Sequence, residues 1–435
     1  MLPERLRVAP GPSALSSWAA LVQERRPTGI VLTMIVKNEA KVIARALRSA
    51  LPFVDGVMIH DTGSTDDTLD VVDATMRDHR ASGELADESA ITWMVERVPW
   101  TDFATNRNLV LDAARREFPQ CPYHLWMDAD DQLLLVAPWT GLPKPGELER
   151  YDLSVTDVEW DESYWRPHIF RADRPANGMG GWRWYGPVHE YLSADGPIHE
   201  AAEKAEKGDI QPRRGARLYG LRYLRIGGGS RSKNPEKNRK DAALLQAEIK
   251  KDPKDARSWF YLARAFEADE LWRPALECYA HRATMEGDQE EVFLSVFGVA
   301  RMKEALYATE DEVRAAYQEA HDLRTRAEPM TRLSLYLYEK GDYQAATSTG
   351  EIAMRLAQQR PPDQLFVDDS VYRWKATMAF AQAAAKLPHR TVDAGRAAQR
   401  ILDKVPPAEL PNLRAFILHC QSEYNKAMAG PEKVG

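Results

Sequence analysis

Cysteine is scarce in this chain of 435 residues: Cys121, Cys278 and Cys420 stand far apart, which excludes both a disulfide framework and a paired-cysteine metal site. A reducing, cytoplasmic setting is the expectation. Long apolar runs are missing too, and nothing approaches the roughly 18 uninterrupted residues that a membrane span needs. Near the start, "SALSSWAALV" carries serines and is followed by Glu24, Arg25 and Arg26, so it reads as a short amphipathic helix and export is not expected. Excess positive charge is absent as well: 58 Lys and Arg face 65 Asp and Glu, a net charge of −7, which argues against a general nucleic-acid binder. One segment departs from this balance. Residues Gln211 to Arg257 hold 14 Lys or Arg against 5 Asp or Glu, which suits a solvated basic face or phosphate binding.

What is present is an ordinary soluble composition, 44% hydrophobic and 28% charged, on a chain long enough for two or three domains. The apolar, β-branched run "GIVLTMIV" at residues 29–36 predicts a strand. Val42, Ile43, Ala46, Leu47 and Leu51 then fall on one face of a helix. The pattern repeats in "VDGVMIHD" with "STDDTLDVVDATM", in "ITWMVERV" with "TDFATNRNLVLDAARREF", and ends in "YHLWMDADD". Strands alternating with helices predict an α/β fold with a mainly parallel sheet, in which ligands bind at the carboxyl ends of the strands.

From Arg150 to about Leu224 the regularity gives way to short strand-like pieces rich in Trp and Gly, expected to complete the same domain as an acceptor pocket or an aromatic core. A glycine run at 227–229 opens an all-helical region, with Asn234 and Pro235 expected to start its first helix and Asp252-Pro253 to end it. Trp259, Leu262, Phe266, Ala275 and Tyr279 are spaced as in tetratricopeptide repeats, and Ala275, Ala316 and Ala346 mark three successive turns. The expected division is 1–28 as an N-terminal extension, 29–230 as the α/β domain, 231–252 as a basic lid or connecting helix, and 253–428 as helical repeats.

The chemistry concentrates at strand ends. Asp128 and Asp130 are two residues apart, so on an extended backbone both side chains leave one face and could share a divalent ion. Asp61, in "HDTGSTDDT", ends the second strand, with Ser64 and Thr65 expected to cap the helix that follows. Arg107 and Asn108 follow the third strand, where a surface ion pair is the plain alternative.

The runs "LTMIVKNEAKVIARALRSALPFVDGVMIHDTGSTDDT", "WTDFATNRNLVLDAA" and "LWMDADD" together resemble the inverting family 2 glycosyltransferases of the GT-A, nucleotide-diphospho-sugar fold. The later "RPHIFRADRP" and "WRWYGPVHEYL", with the repeats, are similar to a subgroup that includes peptide S-glycosyltransferases of bacteriocin pathways. The resemblance implies that Asp61 binds the nucleobase, Arg107 flanks the nucleotide, Asp128 contacts the ribose or metal, and Asp130 ligates the metal. Thr33 and Glu39 would line the same pocket. Where many members carry an acidic pair with the catalytic base, this chain has His189-Glu190. His189 is then a candidate third metal ligand, and Glu190 or Asp161 the candidate base. Arg231 and Lys233 would close as a lid over the diphosphate.

The expected activity is therefore metal-dependent hexosyl transfer from a nucleoside-diphosphate sugar, UDP-linked by family frequency, with Mn²⁺ or Mg²⁺. The acceptor would be a peptide or protein presented by the repeats, which could also pair two copies as a homodimer. The alternatives are transfer to a modified nucleic-acid base or a small molecule, and a repeat scaffold carrying an inactive transferase domain. A nucleic-acid partner is not expected.

Overall fold

The structure is a computed structural model that describes residues 28–81, 91–139, 141–157, 162–172, 181–197, 214–231, 234–361 and 365–429. The N-terminal extension, Asp161 and Lys233 lie outside the described residues, apart from Thr28. The chain divides after Ser258 into two compact units. Among the described residues, no helix is long and apolar enough to cross a membrane.

The first unit begins with the expected alternation: β1 (Ile30–Val36), α1 (Ile43–Ala50), β2 (Gly56–Asp61), α2 (Thr68–Ala81), β3 (Thr92–Arg97), α3 (Phe103–Glu117) and β4 (Tyr123–Trp126). These are followed by β5 (Gln132–Leu135), β6 (Arg150–Asp157), β7 (Glu162–Arg171), β8 (Arg183–Tyr185), β9 (Tyr191–Ser193), β10 (Gly215–Arg225) and α4 (Lys237–Lys251). Eight strands form one sheet in the order β3-β2-β1-β4-β7-β6-β10-β5, and β8 pairs with β9 apart from it. Strands β3, β2, β1 and β4 are parallel, as are β6 and β10, while β7 runs against both its neighbours and β5 against β10.

Alternation along β1 explains the layers. Ile30, Leu32, Met34 and Val36 pack with Ile43 and Leu47 of α1 and with Val72 and Met76 of α2, while Val31 turns to Val110 and Ala114 of α3 and to Phe118, which caps its end. Each such fully buried side chain contributes about 1.5–3 kcal/mol. At Gly56 an added Cβ would lie 2.5 Å from the Phe118 ring, so only glycine lets α3 pack this close. Helix α3 starts where Asp102 accepts from the Thr105 amide at 2.8 Å, a cap that aims its first turn toward the strand ends. Helix α4 begins two residues later than Pro235 suggests, after a turn in which the Glu236 amide donates to Asn234 Oδ1 and the Lys237 amide to the Asn234 carbonyl.

The second unit is helical. It carries α5 (Ala256–Ala268, which starts just before the division), α6 (Trp272–Ala283), α7 (Gln289–Ala305), α8 (Glu310–Leu323), α9 (Ala327–Lys340), α10 (Tyr343–Leu356), α11 (Ala376–Ala384), α12 (Thr391–Gln399) and α13 (Leu410–Ala429). Successive helices pack as hairpins, with Ala275, Ala316 and Ala346 buried at the contacts. The "GDYQAA" turn works as its residue types suggest: Gly341 takes the left-handed conformation at φ 84°, and Asp342 caps α10 by accepting from the Ala345 amide.

Candidate functional site

The site lies at the carboxyl ends of the parallel strands, where the loops after β1 and β2 are bound to each other. Asn38, at φ 58°, donates its amide to Ser64 Oγ at 2.9 Å and accepts from the Thr65 amide at 2.7 Å. The Glu39 amide donates to Thr68 Oγ1 at 2.8 Å, so Glu39 is held at the mouth of the site. Ser64 and Thr65 therefore secure the neighbouring loop, and it is Asp66 that accepts from the Thr68 amide at the start of α2. Asp61 ends β2 fully buried, both its oxygens facing the Ser64 amide at 3.0 and 3.3 Å. Thr33 is buried in mid-strand and donates its hydroxyl to the Leu125 carbonyl at 3.2 Å.

Strand β4 stops at Trp126, and Asp128 to Asp131 form a turn in which the Asp131 amide reaches the Asp128 carbonyl at 3.3 Å. The extended backbone expected there, with Asp128 and Asp130 on one face, is not what forms: the three acids take three directions. Asp128 pairs with Arg107 at 2.6 Å, while Asp130 accepts from the Gly229 amide at 3.0 Å. Asp131 points inward, accepting from Tyr223 Oη at 2.9 Å and from the Ile226 amide at 3.0 Å. Burial, then the charges of Asp128 and Asp130, push the Asp131 carboxyl up to about 7 despite its hydrogen bonds. Burial also raises Asp128, but the Arg107 guanidinium outweighs it and holds that carboxyl below its ordinary value. Glu39 is pushed up to about 6, chiefly by burial, with Asp130 adding to it against hydrogen bonds from Ser230.

Arg107 is the hub. It is 4% exposed, donates Nε to Glu190 at 2.7 Å and Nη2 to Asp128, and lies 5.0 Å from the ring centres of both Trp126 and Trp184. This is no surface ion pair. Burial opposes its charge, but the two carboxylates hold the guanidinium firmly protonated. Asn108 fixes β8 by exchanging two hydrogen bonds of 2.9 Å with the Trp184 backbone. Below, His168 is stacked between Trp126 and Tyr223 at 4.3 and 3.9 Å, its Nδ1–H facing the Trp126 carbonyl. Burial, then the Arg166 charge, lower its pKa to about 3, so it is neutral.

Glu190 comes to Arg107 on a tight turn in which Gly186 and His189 both have positive φ, 89° and 53°. A left-handed His is a local strain that persists only where the surroundings fix it. Here the Phe103 amide donates to the Pro187 carbonyl at 3.0 Å and Arg257 to the His189 carbonyl at 3.1 Å. His189 itself is exposed. Among the described residues, no group of three or more His, Cys, Asp or Glu is placed to hold a metal, so Asp128, Asp130 and His189 are not gathered as the shared ligand set expected of them.

Two carboxylates do converge. A Cβ built on Gly229 would lie 2.7 Å from Asp130 Oδ2 and 3.0 Å from Glu39 Oε2, so both oxygens border one small cradle that only glycine leaves open. Two hard oxygen donors suit a divalent cation whose remaining positions are filled by water and substrate phosphate. The residues fit such an ion, held by Asp130 and Glu39 rather than by the expected trio. Ser230 flanks the cradle, donating its amide to Glu39 and its hydroxyl to the Lys37 carbonyl at 2.9 Å. Arg231 pairs with the buried Asp241 at 2.5 Å and lies 4.3 Å from the Phe103 ring centre. Its charge is thus committed within the first unit.

Tyr223, Trp126 and Arg166 take part without having been singled out from sequence, whereas Asp131 stood out in the acidic run, Trp184 among the tryptophans and Gly229 in the glycine run, each without an assigned role. Nothing local marks Tyr223 as the partner of an acid 92 residues away.

Residues 32–134, which carry β1 to β4 and the acidic turn, match the family model described as glycosyl transferase family 2. The mainly parallel sheet is accordingly a Rossmann-like GT-A domain, and the chain is a glycosyltransferase. The family uses nucleotide-sugar donors and often a divalent metal. A comparison with curated proteins gave no match. Among solved structures, the chain is similar to TTC0263, a thermophilic TPR protein of Thermus thermophilus, at 17% identity over 42% of this chain and 91% of that one, TM-score 0.29. It is also similar to the MamA protein, at 15% identity over 39% and 85%, TM-score 0.30. A third is YrrB, a TPR protein with an unusual peptide-binding site, at 12% identity over 43% and 84%, TM-score 0.31.

Proposed function

We propose that the first unit transfers a hexose from a UDP-sugar, with inversion, to a nucleophile of a peptide or protein acceptor recognised by the helical repeats. The observation that carries the donor half of this reading is the cradle at Gly229, bordered by Asp130 and Glu39 at the carboxyl ends of the parallel strands. A Mn²⁺ or Mg²⁺ ion bound there would neutralise charge on the leaving diphosphate. Asp61 supports recognition of the base from the end of β2 and Asp128 that of the ribose, while Arg107 acts through the two carboxylates it binds.

In the reaction the acceptor nucleophile bonds to the anomeric carbon as the carbon–oxygen bond to the phosphate breaks. The bonding pair leaves on the phosphate, and the proton of the nucleophile passes to a base. Glu190 suits that role: its carboxylate is 11% exposed, ion-paired to Arg107, and set by a strained turn. Asp161 is the other candidate, outside the described residues. The acceptor half rests on the run of paired helices, an architecture suited to peptide recognition.

Within the basic segment, Arg225, Arg231, Lys240 and Lys251 are paired with Asp157, Asp241, Glu236 and Glu248, which reduces the charge that segment offers to a nucleic acid. The reading is tested by thermal stabilisation against a panel of nucleotide sugars with and without Mn²⁺, then by mass spectrometry of peptides incubated with the stabilising donor. A metal-dependent shift with UDP-sugars and a hexose increment on a peptide are expected. Stabilisation by no nucleotide sugar, or transfer to non-peptide acceptors alone, would overturn it.

A further inference from the structure

Among the described residues, one arginine beside the acidic turn stands apart from its neighbours. Arg107 is consumed by Asp128 and Glu190, Arg225 by Asp157 at 2.9 Å, and Arg231 by Asp241. Arg45 donates to the carbonyls of Asp130 and Gly227. Arg166, on β7, is half-buried with its guanidinium 4.6 Å from the centre of the Trp126 ring. Among the described residues it makes a single hydrogen bond, Nη2 to the Glu190 carbonyl at 3.4 Å, which is at the outer margin of such bonds. A guanidinium has five N–H donors, and no nitrogen of Arg166 is both buried and unpartnered, so the donors the protein leaves unmet face water and are open to a ligand.

The surroundings say what would meet them. Arg166 is on the ring of the residue that leads into Asp128 to Asp131, and it touches the backbone of Glu190, so it stands between the acidic turn and the candidate base. The Coulomb influence of Arg166 reaches Asp128, adding to that of Arg107. A planar fork held over an indole, 4.6 Å from the ring centre, suits two parallel bonds to phosphate oxygens. The indole also fixes the guanidinium in place before any ligand arrives.

We propose that Arg166 is a catalytic residue that binds the diphosphate of the donor and receives the negative charge that develops when it leaves. This rests on the donor chemistry proposed above. When the anomeric carbon–oxygen bond breaks, the bonding pair moves onto the phosphate oxygen that faces Arg166, while the proton of the nucleophile goes to the base. Arg166 donates hydrogen bonds throughout and exchanges no proton.

The test compares wild type with Arg166→Met, which keeps the packing of the stem on Trp126, using UDP, uridine and inorganic pyrophosphate as probes by titration calorimetry with Mn²⁺ present. Arg166→Met should bind UDP and pyrophosphate at least about tenfold more weakly and uridine equally well, and turnover should fall about 100-fold, more than KM rises. Equal affinity of both proteins for UDP and pyrophosphate, or wild type binding UDP no better than uridine, would overturn the proposal. If the variant loses pyrophosphate yet wild type transfers from no nucleotide sugar, the anion site stands and the transferase reading falls. If the variant keeps full turnover, the site falls and the transferase reading stands. Should Arg166→Met not fold, Arg166→Lys keeps the charge without the fork: weakening of about threefold or more is expected, and unchanged affinity overturns the proposal.

Discussion

Replacing Arg107 probes the arrangement at its most connected point. The guanidinium satisfies two carboxylates, at 2.7 and 2.6 Å, and lies between two indoles. With Arg107→Met the stem still fills space, but Glu190, 11% exposed, loses its counter-charge, whereas Asp128, 43% exposed, can rehydrate. Removing one member of a buried pair costs about 3–5 kcal/mol, and each lost cation–indole contact adds about 0.5–2 kcal/mol, partly offset by what Asp128 regains from water. The expected loss is about 4 kcal/mol. Arg107→Lys should lose about 2 kcal/mol, because one ammonium cannot serve both acids in the geometry of the fork. Urea unfolding of the whole chain, read by hydrogen exchange in β4, confines the measurement to the first unit. Adding Glu190→Gln to Arg107→Met should restore part of the loss, since the orphaned charge is gone. A loss below about 1 kcal/mol in Arg107→Met, with no recovery in the double variant, would refute the hub.

Other consequences follow from the same geometry. His168 is buried with its pKa lowered to about 3 from an ordinary 6.5, so its contribution is complete above pH 6.5 and is lost as pH falls toward 3. The His168 contribution should lower stability by about 2.5 kcal/mol between about pH 7 and about pH 4.5, against the opposite effect of the raised Asp131 and Glu39 carboxyls, so it is read as the difference between wild type and His168→Phe in urea titrations at the two pH values. Gly229→Ala would put a Cβ 2.7 Å from Asp130 Oδ2; donor affinity measured with Mn²⁺ should fall at least about tenfold while unfolding changes by less than about 1 kcal/mol. Glu190→Gln should lower turnover about 100-fold and spare donor binding, as read by single-turnover transfer and calorimetry. Full activity in that variant would remove Glu190 as base.

The first half of the fold was legible because parallel strands buried on both faces are near-continuous apolar runs, and β1 and β2 fall where those runs predict, while β3, a partly exposed edge strand, falls where its aromatic and β-branched residues predict. The alternation was also enough to place the acids at a strand end. Their directions were not legible: Trp126 ends β4 because the chain must turn for Asp131 to reach Tyr223 and Ile226, residues brought alongside only by β10. The same holds for the pairing of Arg107 with Glu190, 83 positions away, and for the Gly229 cradle, which needs Glu39 and Asp130 to meet. In the helical unit the glycine-aspartate turn was readable locally, since left-handed backbone and capping are properties of single residues. Long-range ion pairs carry no such local mark.

The central claim is that Asp130 and Glu39 jointly hold a divalent ion when a sugar nucleotide is bound. Electron paramagnetic resonance of Mn²⁺ titrated into the whole chain, with and without UDP, measures this directly in wild type, Asp130→Asn and Glu39→Gln. One tightly bound Mn²⁺ per chain that requires UDP, weakened at least about tenfold in each variant, is the expected result. Binding of Mn²⁺ that is unaltered by UDP and equal in all three proteins would contradict it.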